Sequence, residues 1–186
     1  MLIPVRRDAD ILPAYRNTPV ETLLKLQNLG MVAAGSGAVE GACTAPRLLI
    51  STCVESDAVL RLPAGFAIVV RTGAASLKRD PFLVSWAVGI AGVSAIAVIG
   101  HDDCQLTGLA GKREAFVDRM TGAAGWERPA AEQHFDHWSD LFGIEDPEEA
   151  VAAEAARLQA RYPRIVVAPL VHCRADGTLA QSAAAV

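Results

Sequence analysis

Short, continuous apolar runs are the clearest pattern along the chain. Runs of this kind are typical of strands buried within a sheet. The predicted strands cover residues 47–53, 66–71, 93–100 and 164–172. Asp176-Gly177 is a hairpin signal, so residues 178–181 should form a further strand that returns antiparallel at an edge of the sheet.

Helix start signals lie between these strands. Thr18 is placed to cap a helix that has Pro19 at its first position, Glu21 in a capping box and its end near Gly30. Asp146 and Pro147 form a second start, and that helix should run to about Arg161. Three more helices are predicted, from Asp80 to about Ala91, from Lys112 to Met120 and from Arg128 to Phe142.

The order of these elements predicts the fold class. A strand, a helix and a next strand imply right-handed crossovers and a parallel sheet. We therefore expect one α/β domain with a central, mostly parallel sheet, an antiparallel edge strand and flanking helices. It should span residues 18–181, after an N-terminal arm at 1–17 and before a loose tail at 182–186. The arm could pack on a partner subunit or on its own domain.

Composition and charge narrow the function. The chain is 52% hydrophobic and only 5% aromatic, as expected for a core of small aliphatic residues. Its net charge is −4 and no basic patch stands out, which argues against nucleic-acid binding. The N-terminus resembles no signal peptide, and the most apolar run, residues 87–100, is too short to span a membrane. The expected location is the cytoplasm, where cysteines serve as metal ligands or core thiols rather than in disulfides.

Candidate metal ligands lie at the carboxyl ends of predicted strands. Cys53 ends one strand, and His101 and Cys104 follow another. Ligands bind beyond the carboxyl ends of parallel strands, and zinc prefers thiolate and imidazole ligands. Three protein ligands leave a fourth position open, which is the pattern of catalytic zinc. Because two thiolates neutralise the ion, zinc here should acidify water less than an all-histidine zinc would.

Three motifs carry a resemblance to a known family. Cys53-Val54-Glu55-Ser56-Asp57, then Val69-Val70-Arg71-Thr72-Gly73, then Gly100-His101-Asp102-Asp103-Cys104 resemble the C-x-D-x-R, R-N-A-G and G-H-x-x-C-G motifs of β-class carbonic anhydrases, particularly the short, archaeal-type members. The likeness extends over about residues 18 to 181. It implies zinc on Cys53, His101 and Cys104, an obligate dimer, and reversible hydration of carbon dioxide to bicarbonate by zinc-bound hydroxide.

The resemblance fails at two residues beside the first ligand. Glu55 replaces the family's aspartate, and Asp57 replaces the arginine that pairs with it. Three outcomes are open. Glu55 could become the fourth zinc ligand and close the site, or Glu55 and Asp57 could share a proton so that one of them acts as a general base. Alternatively, an arginine from elsewhere, such as Arg61 or Arg71, could restore the pair.

Function therefore has three alternatives. The chain could be a divergent carbonic anhydrase with Glu55 and Asp57 as catalytic residues, or a hydrolase of a related molecule such as carbonyl sulfide or carbon disulfide. It could also be a catalytically silent zinc protein with a binding or regulatory role. The expected partners are a small-molecule substrate and further copies of the chain, as a homodimer or higher homo-oligomer, with no nucleic acid and no membrane.

Other reactive side chains have ordinary interpretations. His134 and His137 could bind a second metal, although surface or interface positions are expected for them. His172 should be a buried structural residue, and Cys43 and Cys173 free thiols. Asp102 or Asp103 could orient a zinc ligand from behind.

Overall fold

A six-stranded sheet forms the centre of the computed structural model, which describes residues 1–30 and 45–183. Its strands are β1 (Leu2–Pro4), β2 (Leu48–Cys53), β3 (Ala67–Thr72), β4 (Ala95–His101), β5 (Val166–Cys173) and β6 (Thr178–Ser182). The helices are α1 (Pro19–Asn28), α2 (Pro81–Gly89), α3 (Arg113–Ala124), α4 (Arg128–Phe142) and α5 (Pro147–Arg161).

The order of strands across the sheet is β1-β6-β5-β4-β2-β3. Strands β3, β2, β4 and β5 are parallel to one another, whereas β6 is antiparallel to β5 and β1 is antiparallel to β6. The predicted fold class is confirmed. All six residues of β2 and all seven of β4 are buried, which explains why apolar residues predominate in both strands.

Alternate residues of each central strand feed two cores. Leu48 and Ile50 of β2 face the same core as Leu23 and Leu24 of α1. Leu49 points to the opposite face, into the core that α2 and α5 supply. Each fully buried leucine side chain contributes roughly 1.5–3 kcal/mol relative to exposure. Helices on both faces therefore fix the sheet, and with it the positions of the strand ends.

The two best helix start signals have the expected caps. The Thr18 hydroxyl accepts the Val20 N–H at 3.2 Å, and an Asp146 oxygen accepts the Glu149 N–H at 2.9 Å. Glu21 departs from the capping box, because its carboxylate accepts the N–H of Asn17 instead. No helix within residues 1–30 and 45–183 combines the length and apolarity needed to cross a bilayer.

The first residues of the chain are more ordered than the sequence indicates. Strand β1 pairs with β6 of the same chain, with Leu2 opposite Ser182. Ile11 and Tyr15 are buried in the core that also contains the apolar side chains of α1. A three-residue strand that ends in proline has too little periodicity to be recognised from sequence. Ser182, placed in the predicted tail, is the last residue of β6.

Candidate metal centre

Cys53 and His101 are the last residues of adjacent parallel strands, β2 and β4. Cys104 lies on the turn that follows β4. All three side chains are buried, and one potential ligand atom from each lies within 4.8 Å of the other two. We call these three residues the ligand group. The sheet therefore assembles the same three residues that the sequence proposes as zinc ligands.

The two sulfur atoms have the separation that zinc requires. The Sγ atoms of Cys53 and Cys104 are 3.8 Å apart. Two sulfurs on one tetrahedral zinc, with bonds of about 2.3 Å, would be about 3.8 Å apart. The distance therefore fits metal coordination, and it is far longer than the S–S bond of a disulfide, about 2.05 Å.

The His101 ring is oriented for coordination. Its Nδ1 lies 2.9 Å from an Asp103 carboxylate oxygen, which fixes the proton on Nδ1. Its Nε2 is buried and has no hydrogen-bond partner among the residues that the structure describes. A buried nitrogen without a partner is costly, and a metal would satisfy it. Asp103 therefore holds the ring as carboxylates commonly hold metal-ligating histidines.

The protonation state of Cys104 would depend on whether a cation is bound. Burial, with a further contribution from Cys53, raises the pKa of the Cys104 thiol to about 11. Without a positive charge nearby, this thiol stays protonated at neutral pH. A divalent ion would stabilise the thiolate, so its binding would release protons.

A small cavity of about 10 Å³ lies among these side chains. That volume is about what one water-sized sphere occupies, so it suits a single ion. The cavity wall includes Ala74. Ala74 and the next residue, Ala75, both have left-handed backbone conformations, with φ of 51° and 59°. The Ser51 hydroxyl donates to the Ala75 carbonyl at 2.7 Å and helps to hold this strained turn over the site.

Glu55 lies at the edge of the ligand group. Its Oε2 accepts the backbone N–H of Gln105 at 2.8 Å and is 3.9 Å from His101 Nε2. An oxygen and a nitrogen on one tetrahedral zinc would be about 3.3 Å apart. Glu55 is thus close to a ligand position without occupying it, and a backbone N–H holds it there.

Asp57 has a partner that the sequence analysis missed. The Arg174 Nε and Nη2 donate to its two oxygens at 3.2 and 3.1 Å. These hydrogen bonds hold the pKa of Asp57 below its usual value, which favours an ionised Asp57 at neutral pH. Arg71 donates to the Ser56 carbonyl instead. The missed signal is that Arg174 follows β5, whose His172 is paired with His101.

The remaining candidates are three histidines and two cysteines that do not belong to the ligand group. His134 packs among Phe116, Trp126 and Trp138, and the His137 ring meets Trp138 edge-on. His172 is buried as predicted. Burial lowers its pKa. Cys173 is a half-buried free thiol, whereas Cys43 lies outside the described residues.

Solved structures place this architecture among known folds. A β-carbonic anhydrase from Trichomonas vaginalis matches with a TM-score of 0.57 and 20% identity over 73% of this chain and 82% of that one. A carbonic anhydrase from Glaciozyma antarctica matches with a TM-score of 0.57 and 17% identity over 91% and 98%. The chain has the β-carbonic anhydrase fold.

The same fold also includes a carbon disulfide hydrolase, which matches with a TM-score of 0.53 and 15% identity over 72% of this chain and 77% of that one. No family model matches the sequence, and neither does any curated protein. Identities this low establish the β-carbonic anhydrase fold but not the reaction.

Proposed function

We propose that this chain is a zinc enzyme that reversibly hydrates carbon dioxide to bicarbonate, with an activity altered by Glu55 and Asp57. The observation that carries the proposal is the ligand group, with sulfurs 3.8 Å apart and, beside them, a buried imidazole nitrogen that no described residue hydrogen-bonds. When bound, zinc would supply a Lewis acid that lowers the pKa of water, though less far than the value of about 7 reached on an all-histidine zinc. The similar structures named as carbonic anhydrases support the same reaction.

Each residue of the site has a proposed role. Cys53, Cys104 and the Nε2 of His101 would hold the ion, and Asp103 would keep His101 in the right tautomer. Glu55 would accept a proton or a hydrogen bond from the attacking water while its Oε2 also accepts the Gln105 N–H. Asp57 would anchor Arg174 rather than take part in proton transfer.

A closed, silent zinc site is the second candidate. The Glu55 oxygen at 3.9 Å from His101 Nε2 needs only a small shift to reach a ligand position. If it made that shift, the site would have four protein ligands and no room for a reacting water. The hydrogen bond from Gln105 opposes the shift, and for this reason we favour the open site.

The sign of one variant's effect separates these two candidates. Stopped-flow hydration of carbon dioxide is measured on the zinc-loaded protein and on Glu55→Ala. In an open site Glu55→Ala should slow hydration by roughly 10²-fold or more, because a general base is lost. In a closed site the same variant should speed hydration. Glu127→Ala, which changes a glutamate just before α4, is the matched control and should have no effect.

A second variant restores the pattern of the resembling family. Glu55→Asp and Asp57→Arg are combined with Arg174→Ala, so that two arginines do not meet. A gain of activity in this variant alone would indicate a silenced site. If the zinc-loaded protein and both variants all failed to hydrate carbon dioxide, the proposal would be wrong.

Hydrolysis of carbon disulfide is the third candidate function, because one similar structure is a carbon disulfide hydrolase. Release of hydrogen sulfide from carbon disulfide by the zinc-loaded protein, in the absence of carbon dioxide hydration, would favour that reaction.

We further propose a homodimer or higher homo-oligomer located in the cytoplasm. Light scattering on the purified protein tests the first of these, and fractionation of the source cells tests the second.

A further inference from the structure

Arg174 links an exposed carboxylate to a buried zinc ligand. We propose that Arg174 is a positioning residue, which orients His101 through Asp103 and thereby sets the affinity of the site for zinc. This inference rests on the proposed zinc site. It assigns a role to a residue that neither the sequence motifs nor the resemblance singles out.

The guanidinium of Arg174 is held from two sides. Its Nε and Nη2 donate to Asp57 at 3.2 and 3.1 Å, and its Nη1 donates to Asp103 Oδ2. Its backbone N–H also points at the Asp102 carboxylate, at 3.3 and 3.4 Å. An arginine whose planar fork meets two carboxylates has little freedom to rotate, so it can serve as a fixed reference point.

Asp103 transmits this position to the ligand group. One of its oxygens accepts from Arg174 while the other faces His101 Nδ1 at 2.9 Å. The two contacts together fix the plane of the carboxylate, which a single contact to His101 would leave free to turn. The fixed carboxylate in turn keeps the buried Nε2 of His101 in place beside the two sulfurs.

The sheet brings Arg174 to this place. Strand β5 lies beside β4 with His172 opposite His101, and the Asp102 N–H donates to the His172 carbonyl at 3.3 Å. Arg174 comes two residues later, at the start of the turn that leads into β6. Its backbone is thus fixed by the same strand pairing that fixes His101.

A surface ion pair without a metal-positioning role is the competing explanation. Exposed pairs contribute little to folding stability, so Arg174→Ala should leave the fold intact under either explanation. The two explanations differ in zinc affinity, which only the positioning role would change. Because zinc affinity is measured without catalysis, the test does not depend on which reaction the protein carries out.

Zinc dissociation constants are measured by competition with a chromophoric chelator. Arg174→Ala should bind zinc about tenfold more weakly than the wild type. Asp57→Asn should stay within about threefold of it, because Arg174 then still holds Asp103. Arg161→Ala is the control, because Arg161 is far from the site. Pro147, which lines the metal cavity, begins α5, and Arg161 ends that helix about 22 Å away.

A double-mutant cycle tests whether Arg174 acts through Asp103. Asp103→Asn alone should weaken zinc binding by about tenfold or more. Adding Arg174→Ala to Asp103→Asn should cause no further loss. A full additional tenfold loss in the double variant would overturn the inference. If Arg174→Ala did not fold, Arg174→Gln would replace it in both arms of the cycle.

Cobalt(II) substitution gives an independent readout. In Arg174→Ala the sulfur-to-cobalt charge-transfer band should keep its intensity, while the d–d bands shift as the imidazole moves. If the d–d bands and the zinc affinity were both unchanged, only the positioning role would be refuted, and the proposed function would stand. A wild-type protein that bound no zinc would refute the proposed function, so the two failures can be told apart.

Discussion

The ligand group and the carboxylates around it follow different rules. Cys53, His101 and Cys104 are buried, and their positions are fixed by strand ends that pair within one sheet. Glu55, Asp57 and Asp103, which we call the outer carboxylates, are partly or largely exposed and reach their partners through flexible side chains. The ligand group resembles the β-carbonic anhydrase motifs residue for residue, whereas two of the outer carboxylates depart from them.

This difference shows which features of a site backbone geometry constrains. A zinc ligand cannot move to another strand without changing the sheet. An arginine that binds a carboxylate can come from any segment whose backbone ends within side-chain reach. Here Arg174, from the other side of β4, binds the carboxylate at position 57, while the carboxylate at position 55 accepts the Gln105 N–H.

Changing the ligand group should produce the largest effect. Cys104→Ser should lose nearly all zinc, because the hydroxyl is a much poorer zinc ligand than a thiolate. Metal analysis of the purified protein measures the zinc content per chain. Cys173→Ser, which changes a free thiol outside the ligand group, should keep the wild-type content. Zinc retained in Cys104→Ser would mean that the ion binds elsewhere.

Zinc should also stabilise the folded protein. At a free zinc concentration 1,000 times the dissociation constant, the free energy of unfolding should rise by about 4 kcal/mol. Urea unfolding of the metal-free protein with and without added zinc measures the gain. The same addition to Cys104→Ser should give no gain, and an equal gain there would indicate non-specific binding.

An effect confined to the outer carboxylates should be smaller. Arg174→Ala should raise the Asp57 pKa toward its usual value, because hydrogen bonds from Arg174 are what lower it. A depressed native pKa contributes stability above the unfolded value of about 4, and that stability is lost as the pH falls through the native pKa. Carboxyl NMR titration measures the shift, and the melting temperatures of the two proteins should converge in strong acid.

The strained turn over the cavity should give the smallest change. Ala74→Gly removes the left-handed strain at φ of 51° but adds entropy to the unfolded chain, so unfolding free energy should change by less than about 1 kcal/mol. Ala97→Gly, in the middle of buried β4, should instead destabilise by about 1 kcal/mol or more. Equal losses in urea unfolding would contradict this assignment of strain.

Sequence reasoning succeeds where the determinant is local. Thr18 with Pro19 and Asp146 with Pro147 mark helix starts within a few residues, and apolar runs mark β2 and β4. The ligand group follows from the rule that parallel strands present their carboxyl ends together. These signals need no knowledge of distant contacts.

Sequence reasoning fails where the determinant is distant in the chain or involves only the backbone. Arg174 pairs with Asp57 across 117 positions, and nothing in the residues around either one indicates the other. Glu55 is held by the backbone N–H of Gln105, and every residue except proline offers such a donor. Strand β1 has three residues and no periodicity of its own.

The late position of Arg174 in the chain has a consequence for biosynthesis. A nascent chain that has left the ribosome as far as the turn after β4 already contains Cys53, His101 and Cys104. It still lacks β5 and the arginine that follows it. A zinc ion bound during translation would therefore be held weakly at first. Its affinity would increase only when the β5–β6 hairpin joined the sheet.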